Sequence, residues 1–501
     1  MVNRYKAQLS IQAKYLVSEN ISTKAGSTLS AKPSQKCPTR FKILNSNARF
    51  TPITDLLKNW KRLLAGKTDR QSLADRATRS GVWIGGGFVF QRGLQFASNL
   101  ILTRLLFPEA FGLMALCTVF LVGLAMFSDL GLKPAIIRDP RGDDPVFLNT
   151  AWTVQVIRGF VLFISGCLLA VPISIIYNNE ILLPLLVVLS TTAAIAGFNS
   201  IKMITDERDL DFRNVTFIAI FSQLVHILTM ILLAYYWRSV WALAVGGIIG
   251  SLTTLGVGHF LLRGHQHRLH IDPSSANSLV HFGKWIFVST IVTFLGGEGL
   301  RAIQAGFITP AEFGILAIAY SIAAITYELS FKLTAAIGLP ALSETYRTKP
   351  EEFLRFLHNF RRRLLFVSLG LLSAVTLTGE ALVSLLYDPR YHAAGAFVVA
   401  ISLANAVLSI STGYDNALLV IGKSKTYLYV SSLATFGRIT GTIIGLKIFG
   451  TVGMIVGIGI SNVLMLTIYW IIMSKLKLQN IKLDLVSLII VTILTVVAVK
   501  F

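Results

Sequence analysis

The sequence predicts an all-α polytopic membrane protein: two parallel six-helix lobes around a central cavity, plus one extra carboxy-terminal helix. Three observations carry that expectation. Of 501 residues, 53% are hydrophobic and 14% charged, against roughly a quarter charged in soluble globular chains. The apolar residues arrive in nearly continuous blocks of about 20, the length of a helix that crosses a hydrocarbon core of about 30 Å; barrel strands would alternate over about ten residues. A short pattern also recurs at an offset of 202 residues.

In chain order, residues 1–80 come first, with sixteen Lys/Arg, four acids and no sustained apolar period. They read as a basic, largely disordered cytoplasmic tail ending in a membrane-surface turn around Leu56, Leu57, Trp60, Leu63 and Leu64. The tail is also Ser-rich and acid-poor like a transit peptide, which leaves an organellar address open. Candidate spans follow at 82–104, 110–131, 148–175, 181–201, 214–236 and 239–262, forming an amino-terminal lobe over 81–262. A second set at 282–307, 312–336, 364–386, 393–414, 427–448 and 450–473 forms a carboxy-terminal lobe over 263–475. A shorter thirteenth span at 484–499 lies in the additional segment 476–501.

Alternate loops hold Lys133, Arg141, Lys202, Arg208, Arg268, Arg347, Arg361, Arg362, Arg363, Lys423 and Lys475, while the other side has little beyond Arg104, Arg238, Arg390 and Lys447. The positive-inside rule therefore puts the amino terminus in the cytoplasm. Before span nine, Thr348 and Glu351 have capping-box spacing. Phe353, Phe356, Leu357, Phe360 and Leu364 then share one helical face, which predicts an interfacial elbow helix with Arg355, His358, Arg361 and Arg362 largely off that face.

The repeat aligns Gly81, Trp83 and Ile84 with Gly283, Trp285 and Ile286. Without a gap it also aligns Pro108, Phe111, Gly112 and Ala115 with Pro310, Phe313, Gly314 and Ala317. Six spans separate the copies, so both enter the membrane from the same side, related by an axis along the membrane normal. Such symmetry belongs to transporters that rock one lobe against the other.

Other chemistry is thin. Cys37, Cys117 and Cys167 have neither pair nor metal spacing. His265, His267 and His270 read as a solvated basic loop, so no metal is expected. The acids of Asp206-Glu-Arg-Asp-Leu-Asp read as a solvated turn beside Arg208 and Arg213. No Walker motif supports ATP hydrolysis, and the outer loops are too short for a membrane-bound polymerase or transferase. A transporter rather than an enzyme follows, with membrane lipids and no nucleic acid as partners.

Pro108-Glu-Ala-Phe-Gly-Leu-Met-Ala-Leu and Phe127-Ser-Asp-Leu-Gly-Leu resemble the polysaccharide-biosynthesis (Wzx-type) flippase family. So do Asp206-Glu-Arg-Asp-Leu-Asp-Phe-Arg and Leu386-Tyr-Asp-Pro-Arg-Tyr. That family belongs to the multidrug/oligosaccharidyl-lipid/polysaccharide exporter superfamily, and the resemblance spans about residues 80–480. It implies alternating access and a cargo of polyprenyl-diphosphate-linked oligosaccharide for O-antigen, capsule or exopolysaccharide. It also implies a place in a bacterial inner membrane, beside polysaccharide polymerase and chain-length machinery. A drug/cation antiporter or lipid II flippase is the alternative within the superfamily.

A charge deep in a span costs a few kcal/mol or more unless it faces a cavity or partner. Arg92, Arg158, Arg301 and Arg438 are therefore expected to line the cavity, where guanidinium forks suit diphosphate oxygens. Arg301 has Glu298 one turn away as a competing partner, and Arg158 a neighbouring acid. Glu298, in Gly296-Gly-Glu-Gly, is a candidate for H+ or Na+ coupling; no other cofactor is expected. Glu328 and Lys332 read as a structural pair, and Asp129 ends span two.

Overall fold

A computed structural model describes residues 73–500, apart from 129–131, 140, 210, 263–266, 277–289, 292 and 335–337. Residues 1–72 of the basic tail with its surface turn, Asp129, His265, the second copy Gly283, Trp285 and Ile286, and the Lys332 side chain lie outside the described residues, whereas 73–80, expected to belong to the tail, are helical and continuous with the first span.

The amino-terminal half begins with α1 (Leu73–Leu105), α2 (Pro108–Phe127), α3 (Leu132–Arg138) and α4 (Pro145–Ile176). It continues through α5 (Leu182–Gly197), α6 (Lys202–Arg208), α7 (Phe212–Trp237) and α8 (Val240–Leu261). Next come α9 (Glu298–Ala305), α10 (Pro310–Leu333), α11 (Leu339–Thr348) and α12 (Phe353–Leu386). The chain finishes with α13 (Ala394–Val420), α14 (Ser424–Lys475) and α15 (Ile481–Lys500). Among the described residues nine helices are long and apolar enough to cross a membrane, or ten if α5 and α6, bent by 59°, make one span. α1 fails that hydropathy test because Gln91, Arg92 and Gln95 interrupt it.

Local chemistry sets the ends. Pro108 and Pro145 occupy first helical turns, where a missing N–H costs nothing, and Asp144 accepts from the Val146 amide at 3.2 Å. At α10, Glu312 accepts from both the amide and the hydroxyl of Thr309 at 3.0 Å, closing a capping box. The 52 residues of α14 are two antiparallel legs, folded back at Phe449–Gly450. Gly450 has φ +66° and ψ −151°, a conformation open essentially to glycine alone. The legs pack with almost no gap: a Cβ on Gly445 would lie 1.9 Å from the Gly453 carbonyl oxygen, and one on Gly457 1.9 Å from that of Gly441.

The element before span nine differs from expectation. Thr348 bonds back to the Glu344 carbonyl, so no capping box forms. α12 then runs unbroken for 34 residues with no elbow. Arg361 is among the most buried large side chains, 1% exposed, against Asp484, 0% exposed. Its Nη2 donates to Asp484 at 2.7 Å and to the Ile410 carbonyl at 2.8 Å, and its guanidinium lies 3.5 Å over the Tyr414 ring. Tyr414 and Trp470 also donate to Asp484, at 2.7 and 3.0 Å. The last helix, α15, is thus tied into the carboxy-terminal half through a buried ion pair that the amphipathic pattern concealed.

The basic-end loops carry ion pairs at a partly exposed surface: Lys133 pairs with Glu207 at 2.5 Å and Arg208 with Asp143 at 3.3 Å. The segment after α8 is strapped to the start of α4. His270 exchanges hydrogen bonds with Thr153 at 3.0 Å, and the Asp272 amide donates to Thr150 at 3.0 Å. His267 accepts or donates a 2.8 Å bond with Ser200 and stacks on Trp152.

Candidate functional site

At the end away from the basic loops, the two copies of Pro-x-x-Phe-Gly meet. A Cβ on Gly112 would lie 1.8 Å from the Pro310 carbonyl oxygen, and one on Gly314 1.9 Å from that of Pro108. Only glycine permits this reciprocal approach of α2 and α10. The Leu386-Tyr-Asp-Pro-Arg-Tyr motif adds a second clamp. Asp388 caps the turn and binds Arg390 Nε at 2.7 Å, and that hydrogen-bonded partner holds the Asp388 carboxyl below its usual range. Arg390 then donates to the carbonyls of Thr103 and Arg104 at 3.3 and 3.2 Å, and Tyr391 to that of Leu106 at 3.0 Å. Tyr177 donates to the Ala302 carbonyl at 2.9 Å. The two halves are thereby sealed at this end.

Deeper in, α10 organises the charges. Tyr320 and Tyr327 lie two turns apart on one stripe, and Ser321 and Glu328 on the next. Arg301 has its guanidinium 4.9 Å over the Tyr320 ring and its Nη1 3.1 Å from Glu298 on its own helix. The Tyr320 hydroxyl and the buried Gln304 amide bond at 3.1 Å. Arg438 acts electrostatically on Tyr327 and on Asp415, a carboxylate that accepts from the Tyr469 hydroxyl. Arg438 Nε is buried with no hydrogen-bond partner among the described residues. One turn earlier, Thr435 packs on Gly296, where a Cβ would lie 2.9 Å from its hydroxyl, so Arg438 stands close to the glycine break ahead of Glu298.

On the second stripe, Glu328 pairs with Arg92 of α1 and Ser321 accepts from Asn99 at 3.5 Å. Arg92 Nη1 also donates to Gln95 at 2.8 Å, and its guanidinium lies 5.4 Å from the Phe88 ring. Arg158 stands apart: it donates to the Ala125 carbonyl at 2.8 Å and the Ser128 hydroxyl at 2.9 Å, closing the end of α2.

The structure therefore gathers Arg92, Arg301 and Arg438 around α10, with Glu298 held by Arg301, and leaves Arg158 elsewhere. Two acids at this level escaped the sequence reading in this role. Asp415 sits one residue past the expected end of span ten, and Glu328 had a nearer formal partner in Lys332. The pair of tyrosines two turns apart on α10, Tyr320 and Tyr327, was the available signal.

A sequence model of the polysaccharide biosynthesis protein family matches residues 101–396. The lipopolysaccharide biosynthesis protein WzxC of Escherichia coli K12 is 20% identical over 410 residues, covering 81% of this chain and 82% of that one. Among solved structures, the lipid II flippase MurJ in an inward closed conformation superposes with a TM-score of 0.66 at 14% identity, covering 83% and 92% of the two chains. An inward-facing multidrug resistance MATE transporter superposes at 0.60 with 13% identity, covering 81% and 95%. These likenesses establish the two-lobed helical fold shared with the MOP-superfamily transporters.

Proposed function

The chain belongs to the polysaccharide biosynthesis protein family, and on that premise we propose that it is a flippase that carries polyprenyl-diphosphate-linked oligosaccharide across the bacterial cytoplasmic membrane by alternating access. The observation that carries the reading is the arrangement of α10. At one end it closes the seam between the halves through Gly314 and Pro310, and further along it presents Tyr320, Tyr327 and Glu328 to Arg301, Arg438 and Arg92. A transporter of this kind needs a seal at one end and, below it, cations able to face a diphosphate.

On this reading each residue takes a role. Arg92, Arg301 and Arg438 are the headgroup-binding set, and Arg158 holds the basic end of α2 in place. Glu298 carries the coupling H+ or Na+ when Arg301 turns from it towards substrate. Polymerase and chain-length machinery act on the delivered cargo.

The test is reconstitution into liposomes with a labelled polyprenyl-diphosphate oligosaccharide, scored by its access to an external glycosidase. Expected is protein-dependent crossing, lost in Arg438→Ala and altered by an imposed pH or Na+ gradient. Cargo that stays in its original leaflet with folded protein overturns the reading.

A further inference from the structure

We propose that Glu328 is a resident anion for Arg92, which fills the arginine's phosphate-binding face in the empty protein and so makes the site select doubly charged diphosphate lipids over singly charged phospholipids. This rests on the flippase reading and deepens it.

The ion pair within the carboxy-terminal half and the one that joins α1 to α10 differ in kind. Arg361 and Asp484 are 1% and 0% exposed and locked by packing, whereas Arg92 and Glu328 are 31% and 33% exposed and joined across two helices distant in sequence. α1 leans mainly on α7 and meets α10 only sparsely. Polar contacts across that seam among the described residues include Arg92–Glu328 and, seven residues along each helix, Asn99–Ser321 at 3.5 Å. The pair lies 18 residues along α10 from Pro310, about 27 Å at 1.5 Å per residue, well away from the glycine seal. It is therefore a contact that can be broken without unpacking a core.

Its chemistry sets a threshold. A guanidinium offers five N–H donors in a planar fork, and here one terminal nitrogen goes to Glu328 and the other to Gln95. A bare arginine between the lobes would attract any phosphodiester lipid in the bilayer. With Glu328 in place, an entering headgroup must displace a carboxylate, so a group of one negative charge gains little. A diphosphate brings more charge and can take the fork bidentately. Its entry also removes the ion pair from the α1–α10 seam, so binding and loosening of that seam are one event. Specificity arises from the competitor built into the site.

The experiment measures undecaprenyl diphosphate binding to the full chain in nanodiscs of phosphatidylcholine, with and without phosphatidylglycerol. Wild type should bind with nearly the same affinity in both. Glu328→Gln should bind about tenfold tighter in phosphatidylcholine, and phosphatidylglycerol should then weaken it about tenfold. Glu328→Asp should keep the wild-type pattern, and Arg92→Ala should lose binding in both discs. Wild-type binding with Glu328→Gln indistinguishable from it, in folded protein, overturns the role of Glu328 and leaves the flippase reading standing. No binding by wild type in either disc overturns the flippase reading and this inference with it.

Discussion

Removing Asp484 isolates the energetics of the buried pair that holds the last helix. Asp484 accepts three hydrogen bonds, from Arg361 and Tyr414 at 2.7 Å and from Trp470 at 3.0 Å, and neither charge of the pair reaches solvent. Asp484→Ala leaves the Arg361 guanidinium with the Ile410 carbonyl and the Tyr414 ring face as its contacts. Breaking one side of a buried pair costs about 3–5 kcal/mol, because the surviving charge is desolvated without compensation. The double variant Arg361→Leu with Asp484→Leu removes both charges, and apolar replacement of a whole buried pair is often close to neutral. Thermal unfolding in detergent, followed by fluorescence-detected size exclusion, should show the single variant melting far below wild type and the double variant recovering most of the loss. A single variant that melts with wild type would refute the burial argument. A double variant as weak as the single would show that the tyrosine and tryptophan bonds, not the charge pairing, hold the helix.

Other consequences follow from particular positions. Gly314→Val places a side chain into the Pro108 carbonyl, so cysteine pairs across the α2–α10 seal should cross-link poorly and transport should fall by an order of magnitude or more; unchanged cross-linking would refute the close approach. Gly450→Ala meets no neighbour within 4 Å, so its cost is backbone strain alone, about 1–3 kcal/mol, read as a lowered melting temperature. Asp272, which accepts from Ser274 and Ser275, has its carboxyl pulled down to about 2 from 3.8. A depressed carboxyl stabilises the folded form above the unfolded value, so its contribution is complete above about pH 4 and lost as pH falls through about 2. Asp272→Asn at neutral pH should mimic that loss as faster hydrogen exchange across residues 267–276, and unchanged exchange would remove the strap from the account. Arg92→Ala and Arg438→Ala should abolish export while the protein still folds, whereas Arg158→Ala should lower thermal stability as well.

Period and length made the spans and the duplication legible. The Pro-x-x-Phe-Gly register brought together residues that the structure places within van der Waals reach, Gly112 against Pro310 and Gly314 against Pro108. Long-range charge pairing was illegible. Arg361 looked like the polar side of an amphipathic helix because its acid is 123 residues away. Arg92 had no acid within reach on its own helix, and its partner Glu328 is 236 residues away. A helical wheel ranks faces by hydropathy, and a buried ion pair violates that ranking by design: what makes it tolerable is a partner the wheel does not contain. Asp415 was missed for a different reason, since a span boundary drawn at the last apolar residue ends one position short of it.

The glycine seal has the form of a homodimer contact within one chain. Residue 112 meets 310 and residue 314 meets 108, the reciprocity that an isologous interface requires. The same surface, carried by one copy of the motif, is self-complementary. Each glycine is fixed by the proline of the other half. Each half is thus the mould of the other along that line.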